Sequence, residues 1–193
     1  MTQFISVWSR KGGVGKSTLA LNLAAAATQS GKKVLLVDSD KQASCLFLYQ
    51  HKQFPFEVSN KLRDKNNYDL IIQDCAPNLD NVPMGSVVLV PYGTSGIDLG
   101  SVTKLLPVLE QKGKFIIEVV AKVNWQRKRL REFAIQKRSK GAFIIKDRGI
   151  YIDATNAATT IFDRKFNRAY KISEARNEIN QLLNAALEHQ HEH

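Results

Sequence analysis

The chain has 193 residues, 44% hydrophobic and 24% charged, with a net charge of +10, a composition that fits one globular domain with a real core (1–193). No apolar run approaches the roughly 18 residues that cross a bilayer, and no basic n-region with a cleavage site opens the sequence, so neither a membrane span nor a signal peptide is expected. Cys45 and Cys75, thirty positions apart, make neither a disulfide framework nor a zinc pattern, and reduced thiols in the cytoplasm are expected.

In chain order, apolar runs alternate with helical stretches. FISVWS (4–9) predicts a short strand running into a glycine-rich loop. STLALNLAAAATQS (17–30) predicts a helix closed by Gly31, and KKVLLVDSD (32–40) a buried strand ending on acids. FPFEV (54–58) reads as an edge strand because it holds Pro55. HKQFPFEVSNKLRDKNN (51–67) is the most loop-like stretch. YDLIIQD (68–74) and SVVLVPY (86–92) predict buried strands. A helix over 99–113 with a kink or break at Pro107, a strand over 114–123, a basic helix over 126–140 and a strand over 142–146 follow. The last helix, 173–190, takes Ser173 as its N-cap. The tail HQHEH reads as a frayed solvated end or an expression remnant.

Buried strands ending on acids and alternating with helices predict an α/β fold, a doubly wound, mostly parallel sheet flanked by helices. Ligands of such sheets bind at the carboxyl ends of the strands. The glycine loop, Asp38, Asp40, Asp74 and Asn124 all fall at such ends, which points to one nucleotide site.

SRKGGVGKST ends as a phosphate-binding loop should, on Gly15, Lys16 and Ser17, but Arg10 stands where the usual pattern has its first glycine. Gly12, Gly13 and Gly15, with Val14 between them, let backbone N–H groups approach phosphate oxygens, and the loop opens a helix whose N-terminus favours an anion. Lys16 is expected at the β- and γ-phosphates, Ser17 at Mg²⁺ and Thr18 at a phosphate. Asp74 closes an apolar strand where a carboxylate holds a Mg²⁺ water, and Asp38 and Asp40, spaced by two, are placed to order Mg²⁺ waters and the attacking water.

KGGVGKST resembles the deviant Walker A motif of the ParA/MinD family of ATPases, and the short chain resembles the family's small plasmid partition ATPases most of all. VDSDKQ (37–42) is similar to the family's DxDPQ switch with Lys41 in place of proline, and YDLIIQDCAP (68–77) to its Walker B strand and second switch. LVPYGTSGIDLGSV (89–102), VVAKVNWQRKR (119–129) and KDRGIYIDATNAATTIFD (146–163) resemble later blocks in the right order. The resemblance implies a P-loop ATPase using ATP and Mg²⁺. It implies that Lys11 is the signature lysine, which crosses a dimer interface to the partner's ATP, that Asp40 positions the attacking water, and that Asn124 contacts adenine. It also implies slow turnover that awaits a stimulating partner.

Two departures stand out. Only about 27 residues separate Asp40 from the Walker B strand, and 11 separate Asp74 from the next strand, with Pro77 and Pro83 among them. A parallel crossover needs a dozen or more residues, so the helix of the second switch is expected to be cut to a turn or lost.

Within the family, partition ATPases bind DNA nonspecifically as ATP dimers, whereas MinD-like members bind membrane through a C-terminal amphipathic helix. The excess charge favours the former: residues 101–176 carry a net +11, against +2 for 1–100 and −3 for 177–193. The C-terminal helix is acidic and lacks aromatics, a poor membrane anchor. Arg148, Arg164, Lys165 and Arg168 are the leading candidates for DNA contacts, followed by Arg127, Lys128, Arg129 and Arg131. No helix-turn-helix extension precedes the loop, so a separate centromere-binding adaptor protein is expected. The sequence thus reads as a cytoplasmic, nucleoid-associated partition ATPase that forms an ATP-dependent homodimer, with no membrane partner. A MinD-like, cargo-positioning or conjugation-associated member is the alternative within the family. Outside it, a ligase or amidase such as a dethiobiotin-synthetase-like enzyme would need a second pocket, and a nitrogenase-reductase-like protein would need cysteines beyond Cys75.

Overall fold

A computed structural model describes residues 2–40, 42–51, 54–77 and 83–189. Its strands are β1 (Gln3–Val7), β2 (Val34–Asp38), β3 (Glu57–Ser59), β4 (Leu70–Asp74), β5 (Val87–Tyr92), β6 (Phe115–Val123) and β7 (Phe143–Lys146). Its helices are α1 (Lys16–Gln29), α2 (Ser44–His51), α3 (Gly96–Glu110), α4 (Lys128–Arg138), α5 (Gly149–Asn156) and α6 (Ile172–Glu188). The strands form one sheet in the order β3-β2-β4-β1-β5-β6-β7, and every pairing is parallel. β3 is an edge strand, as expected for the 54–58 stretch, but it starts at Glu57 and leaves Pro55 outside it.

Side-chain alternation assigns the two faces. Val34 and Leu36 of β2, Leu70 and Ile72 of β4, and Val87 and Leu89 of β5 join one core with α1 and α6. The intervening Val88, Val90 and Tyr92 face Val102, Leu105 and Leu109 of α3 and Ala134 of α4. On that second face, Leu35 and Val37 of β2 and Ile71 of β4 form a separate small cluster with Tyr68 and Phe4, to which no helix among the described residues contributes.

That cluster lies in the half of the sheet where the connection from β4 to β5 must cross β1. Residues 75–77 and 83–86 of this connection form no helix, and 78–82 lie outside the described residues. Gly85 rests directly on β1: a Cβ there would sit 2.8 Å from the Phe4 carbonyl oxygen and 2.8 Å from the Ser6 nitrogen. Polar bonds pin the crossing. Gly85 N donates to Ser6 Oγ at 2.9 Å and Met84 N to Gln73 Oε1 at 2.9 Å. Ser6 Oγ donates to Gln73 Oε1 at 2.8 Å, and Gln73 Nε2 to Ser39 Oγ at 3.1 Å.

Two sequence expectations need correction, and two helices go unannounced. Pro107 does not break α3, which runs unbroken over Gly96–Glu110; the helix forgoes the one bond a proline cannot donate. Ser173 lies inside the first turn of α6, and the N-cap is Lys171 at φ 55, without a side-chain bond. The stretch after Asp40 contains the helix α2, which the sequence pattern does not reveal, and the same holds for α5.

Candidate nucleotide site

The loop after β1 places its lysines differently. Lys16 is buried, and its Nζ donates to the Lys11 carbonyl at 3.2 Å, folded back on its own loop. Lys11 is 43% exposed and reaches outward to Asp98 Oδ1 on α3. Asp98 is at the same time the third residue of a capping box. Ser95 Oγ donates to Asp98 Oδ2 at 2.6 Å, and Asp98 N donates to Ser95 Oγ at 3.2 Å. Burial works against the Asp98 charge, but Lys11 and the Ser95 donors outweigh it and hold its carboxyl below the usual range. Asp98 is the acid of the LVPYGTSGIDLGSV block, whose resemblance gives it no role; the signal for its place in α3 is the capping pattern S-x-x-D, here SGID.

Gly13 (φ 74) and Gly15 (φ 97) adopt left-handed backbone that the tight loop requires. Gly15 is the N-cap of α1 and gives it no side-chain cap, so that helix end is open to an anion. Gly12 and Gly13 are exposed on the loop, Val14 is buried beneath it, and Ser17 and Thr18 are half-buried in the first turn of α1.

Asp74 is fully buried at the end of β4. Cys45 Sγ donates to its Oδ2 at 3.3 Å, while Oδ1 has no hydrogen-bond partner among the described residues. Burial pushes the Asp74 carboxyl up to about 6; Asp38 adds to the rise, and Ser17, Cys45 and Lys16 oppose it. A buried carboxylate oxygen left without a partner beside Ser17 and Lys16 fits a hard cation brought in with phosphates.

Asp38 has a different occupation. Its Oδ2 accepts from Cys45 N at 2.9 Å and Leu46 N at 3.0 Å, and its Oδ1 from Asp40 N at 3.2 Å. With these three bonds it caps α2 and shapes the switch turn. Burial nevertheless raises its pKa, against the pull of these three N–H groups. Asp40 lies in that turn, with Oδ1 accepting from Gln42 N at 3.0 Å. Lys41 lies outside the described residues.

Beside the loop opens a mostly apolar cavity of about 300 Å³ that touches Val14, Gly15 and Thr18. Asn124 is not in its wall. It lines the adjoining cleft, which shares Lys146, Asp147 and Arg148 with the cavity, and its Oδ1 accepts from Gln126 N at 3.1 Å.

The predicted DNA contacts divide. Arg164, Lys165 and Arg168 are exposed around a 3₁₀ turn (Arg164–Phe166) that Arg176 of α6 holds by bonds to the Ile161 and Asp163 carbonyls. Arg127, Lys128 and Arg129 are exposed, whereas Arg131 is half-buried and donates to the Trp125 carbonyl at 3.1 Å. Arg148 must be withdrawn. Its side chain is 10% exposed and forks onto Glu178 at 3.0 Å with a further bond to Glu174 at 3.1 Å. A guanidinium so paired inside the fold cannot reach DNA.

Residues 5–167 match the CbiA family, described as the CobQ/CobB/MinD/ParA nucleotide binding domain. The chain belongs to this ParA/MinD family. It is 30% identical over 131 residues to the maintenance of carboxysome distribution protein A of Halothiobacillus neapolitanus, covering 57% of this chain and 59% of that protein. To the sporulation initiation inhibitor protein Soj of Bacillus subtilis it is 48% identical over 88 residues, covering 43% of this chain and 34% of that protein. The chain thus spans less than two thirds of the length of the relatives it matches. Its fold superposes with a TM-score of 0.74 on a plasmid partition protein of Borrelia burgdorferi bound to AMPPNP, at 18% identity, covering 96% of this chain and 99% of that one.

Proposed function

We propose that this ParA/MinD-family protein is an ATPase that dimerises around ATP, binds DNA nonspecifically in that state and drives partition, with an adaptor protein stimulating hydrolysis. The observation that carries the reading is the division between the two lysines. Lys16 folds onto its own loop, whereas Lys11 points out of the site and is held by one carboxylate at a partly exposed ion pair. The pair is open to solvent at its lysine end, and Asp98 keeps its Ser95 donors when Lys11 leaves, so Lys11 is able to trade Asp98 for phosphates presented by a second subunit. ATP then becomes part of the interface, and its hydrolysis dissolves it.

The remaining residues have roles consistent with this. The backbone of Gly12–Gly15 and the open end of α1 take the phosphates, Ser17 and Asp74 hold Mg²⁺, and Asp40 orients the attacking water. Mg²⁺, when bound, neutralises charge on the β- and γ-phosphates. Asn124 reaches adenine from the cleft beside the cavity. Arg164, Lys165 and Arg168 supply a DNA-facing basic turn. Membrane attachment through α6 is disfavoured, because Ile172, Ala175, Ile179, Leu182, Leu183 and Ala186 are all spent on the core. No helix among the described residues is long and apolar enough to cross a membrane. The reading implies a cytoplasmic protein associated with the nucleoid.

The likeness to a carboxysome-distribution protein favours a second reading, in which the same cycle positions a protein cargo rather than a replicon. Size-exclusion chromatography with light scattering tests the shared core. The wild type should dimerise with ATP and not with ADP, and Lys11→Ala should bind nucleotide yet stay monomeric and hydrolyse at least tenfold more slowly. A Lys11→Ala protein that dimerises and hydrolyses normally refutes the proposal.

A further inference from the structure

We propose that Lys122 is a third lysine of the nucleotide site, a binding residue that holds the α-phosphate side of the nucleotide within its own subunit. The inference rests on the nucleotide-binding reading above and concerns a residue that reading does not use.

The starting point is a backbone irregularity. β6 pairs Val119 with Phe143 and Val120 with Ile144, but then Val123 with Lys146, so β6 holds one residue more than its partner over this step. This is a β-bulge, a device that re-aims a side chain. It falls on Ala121 and Lys122, and Lys122 takes φ 55, a left-handed conformation that a side chain with a Cβ disfavours. Strain of this kind persists where surrounding structure enforces it, and it gathers at functional sites.

The bulge sends the side chain across the phosphate loop. Lys122 Cε lies 3.6 Å from where a Cβ on Gly15 would be, and Nζ donates to the Gly13 carbonyl at 2.7 Å. The residue is otherwise exposed. The arrangement parallels that of Lys16, whose ammonium also rests on a loop carbonyl, that of Lys11, at 3.2 Å. A neutral carbonyl is a weaker partner for an ammonium than a phosphate oxygen, so both lysines are parked where an arriving phosphate displaces the contact.

The cavity gives the direction. Lys122 lines it together with Val14, Gly15 and Thr18, and Ser17 and Asp74 do not. With Mg²⁺ and the β- and γ-phosphates assigned to the Ser17–Asp74 side, this is the α-phosphate and nucleoside side. Two other cations border the cavity, and both have acidic partners: Arg148 is forked onto Glu178, and Lys146 lies 3.6 Å from Glu178 and over the Trp125 ring. Asp147 lines the cavity as well. Among these cations Lys122 is the one held by a backbone carbonyl alone.

Calorimetric binding of ADP and ATPγS tests the assignment. Lys122→Asn keeps a residue that tolerates the left-handed backbone and removes the charge; Lys122→Gly relieves the strain, and Lys122→Arg restores the charge. The Asn and Gly variants should bind both nucleotides at least tenfold more weakly, with the ADP to ATPγS ratio unchanged, and Arg should recover to within about threefold. Their melting temperatures without nucleotide should equal or exceed that of the wild type. Unchanged ADP affinity in Lys122→Asn overturns the assignment, as does a loss confined to ATPγS or a loss that tracks a lowered melting temperature. A wild type that binds neither nucleotide overturns the nucleotide reading itself, and this inference with it.

Discussion

Asp74 combines complete burial with a carboxyl pushed up to about 6 from its ordinary value of 3.8. An acid with a folded pKa above its unfolded value takes up a proton on folding in the window between the two. Stability is therefore lost as pH rises from about 4 to 6, and the deficit is complete above that window, at most about 3 kcal/mol. Asp74→Asn should flatten this dependence and raise the nucleotide-free protein's stability at pH 8, as read by urea unfolding at several pH values. The same variant should lose the stabilisation that Mg²⁺ and nucleotide together give the wild type. A variant less stable than the wild type at pH 8 would show that the carboxylate is structurally required rather than held ready for a cation. At this scale the sequence is legible wherever a motif fixes a residue's neighbours, as for Lys16, Ser17 and Asp74. It is not legible for Asp38, because whether a strand-end acid caps a helix or faces a metal depends on α2, which the composition does not announce. Nor is it legible for Lys122, because a bulge is a fact of pairing between β6 and β7.

The elements follow from periodicity where strands are buried on both faces and read as apolar runs, as in LIIQD and VVLVPY. α2 escapes because SCLFLYQH has neither an acidic first turn nor a clear polar face, and α5 because it spans only eight residues and starts at Gly149. The 11-residue gap after Asp74 does carry information, since it leaves too little chain for an ordinary crossover helix. Its described end instead rests on β1 at Gly85, and that close approach depends on the glycine. Gly85→Ala would force a Cβ to 2.8 Å from two β1 backbone atoms, neither of which can move without disturbing the central strand. The variant should be destabilised by about 2–4 kcal/mol, a cost in the range of severe overpacking. Thermal unfolding checks this, and a shift smaller than about 2 °C would mean that the crossing can lift away from β1. The chain Ser39–Gln73–Met84 joins the first switch to this crossing, so nucleotide-dependent movement of one should be felt by the other.

For the molecule as a whole, the net +10 is legible at once, but its distribution among useful and occupied cations is not. Part of the basic excess in 101–176 is internal: Arg148 and Lys146 face Glu174 and Glu178, and Lys137 pairs with Glu118 at 3.1 Å. Pairing of this kind depends on which helix packs on which strand, and partners such as Arg148 and Glu178, 30 positions apart, give no local sign of it. What remains open to a polyanion includes the turn carrying Arg164, Lys165 and Arg168, held in place by Arg176, and the exposed start of α4. The two surfaces can be separated by charge removal. Replacing Arg164, Lys165 and Arg168 together by Ala should weaken ATP-dependent DNA binding at least tenfold while leaving ATP-dependent dimerisation intact. The slope of log affinity against log salt should also fall by about 0.9 for every phosphate that the variant no longer neutralises. Fluorescence anisotropy with nonspecific duplex DNA across a salt series reads both quantities. If the triple variant keeps the wild-type slope while substitution of Arg127, Lys128 and Arg129 reduces it, the DNA-facing surface is the start of α4, and the 164–168 turn is a solvated basic face.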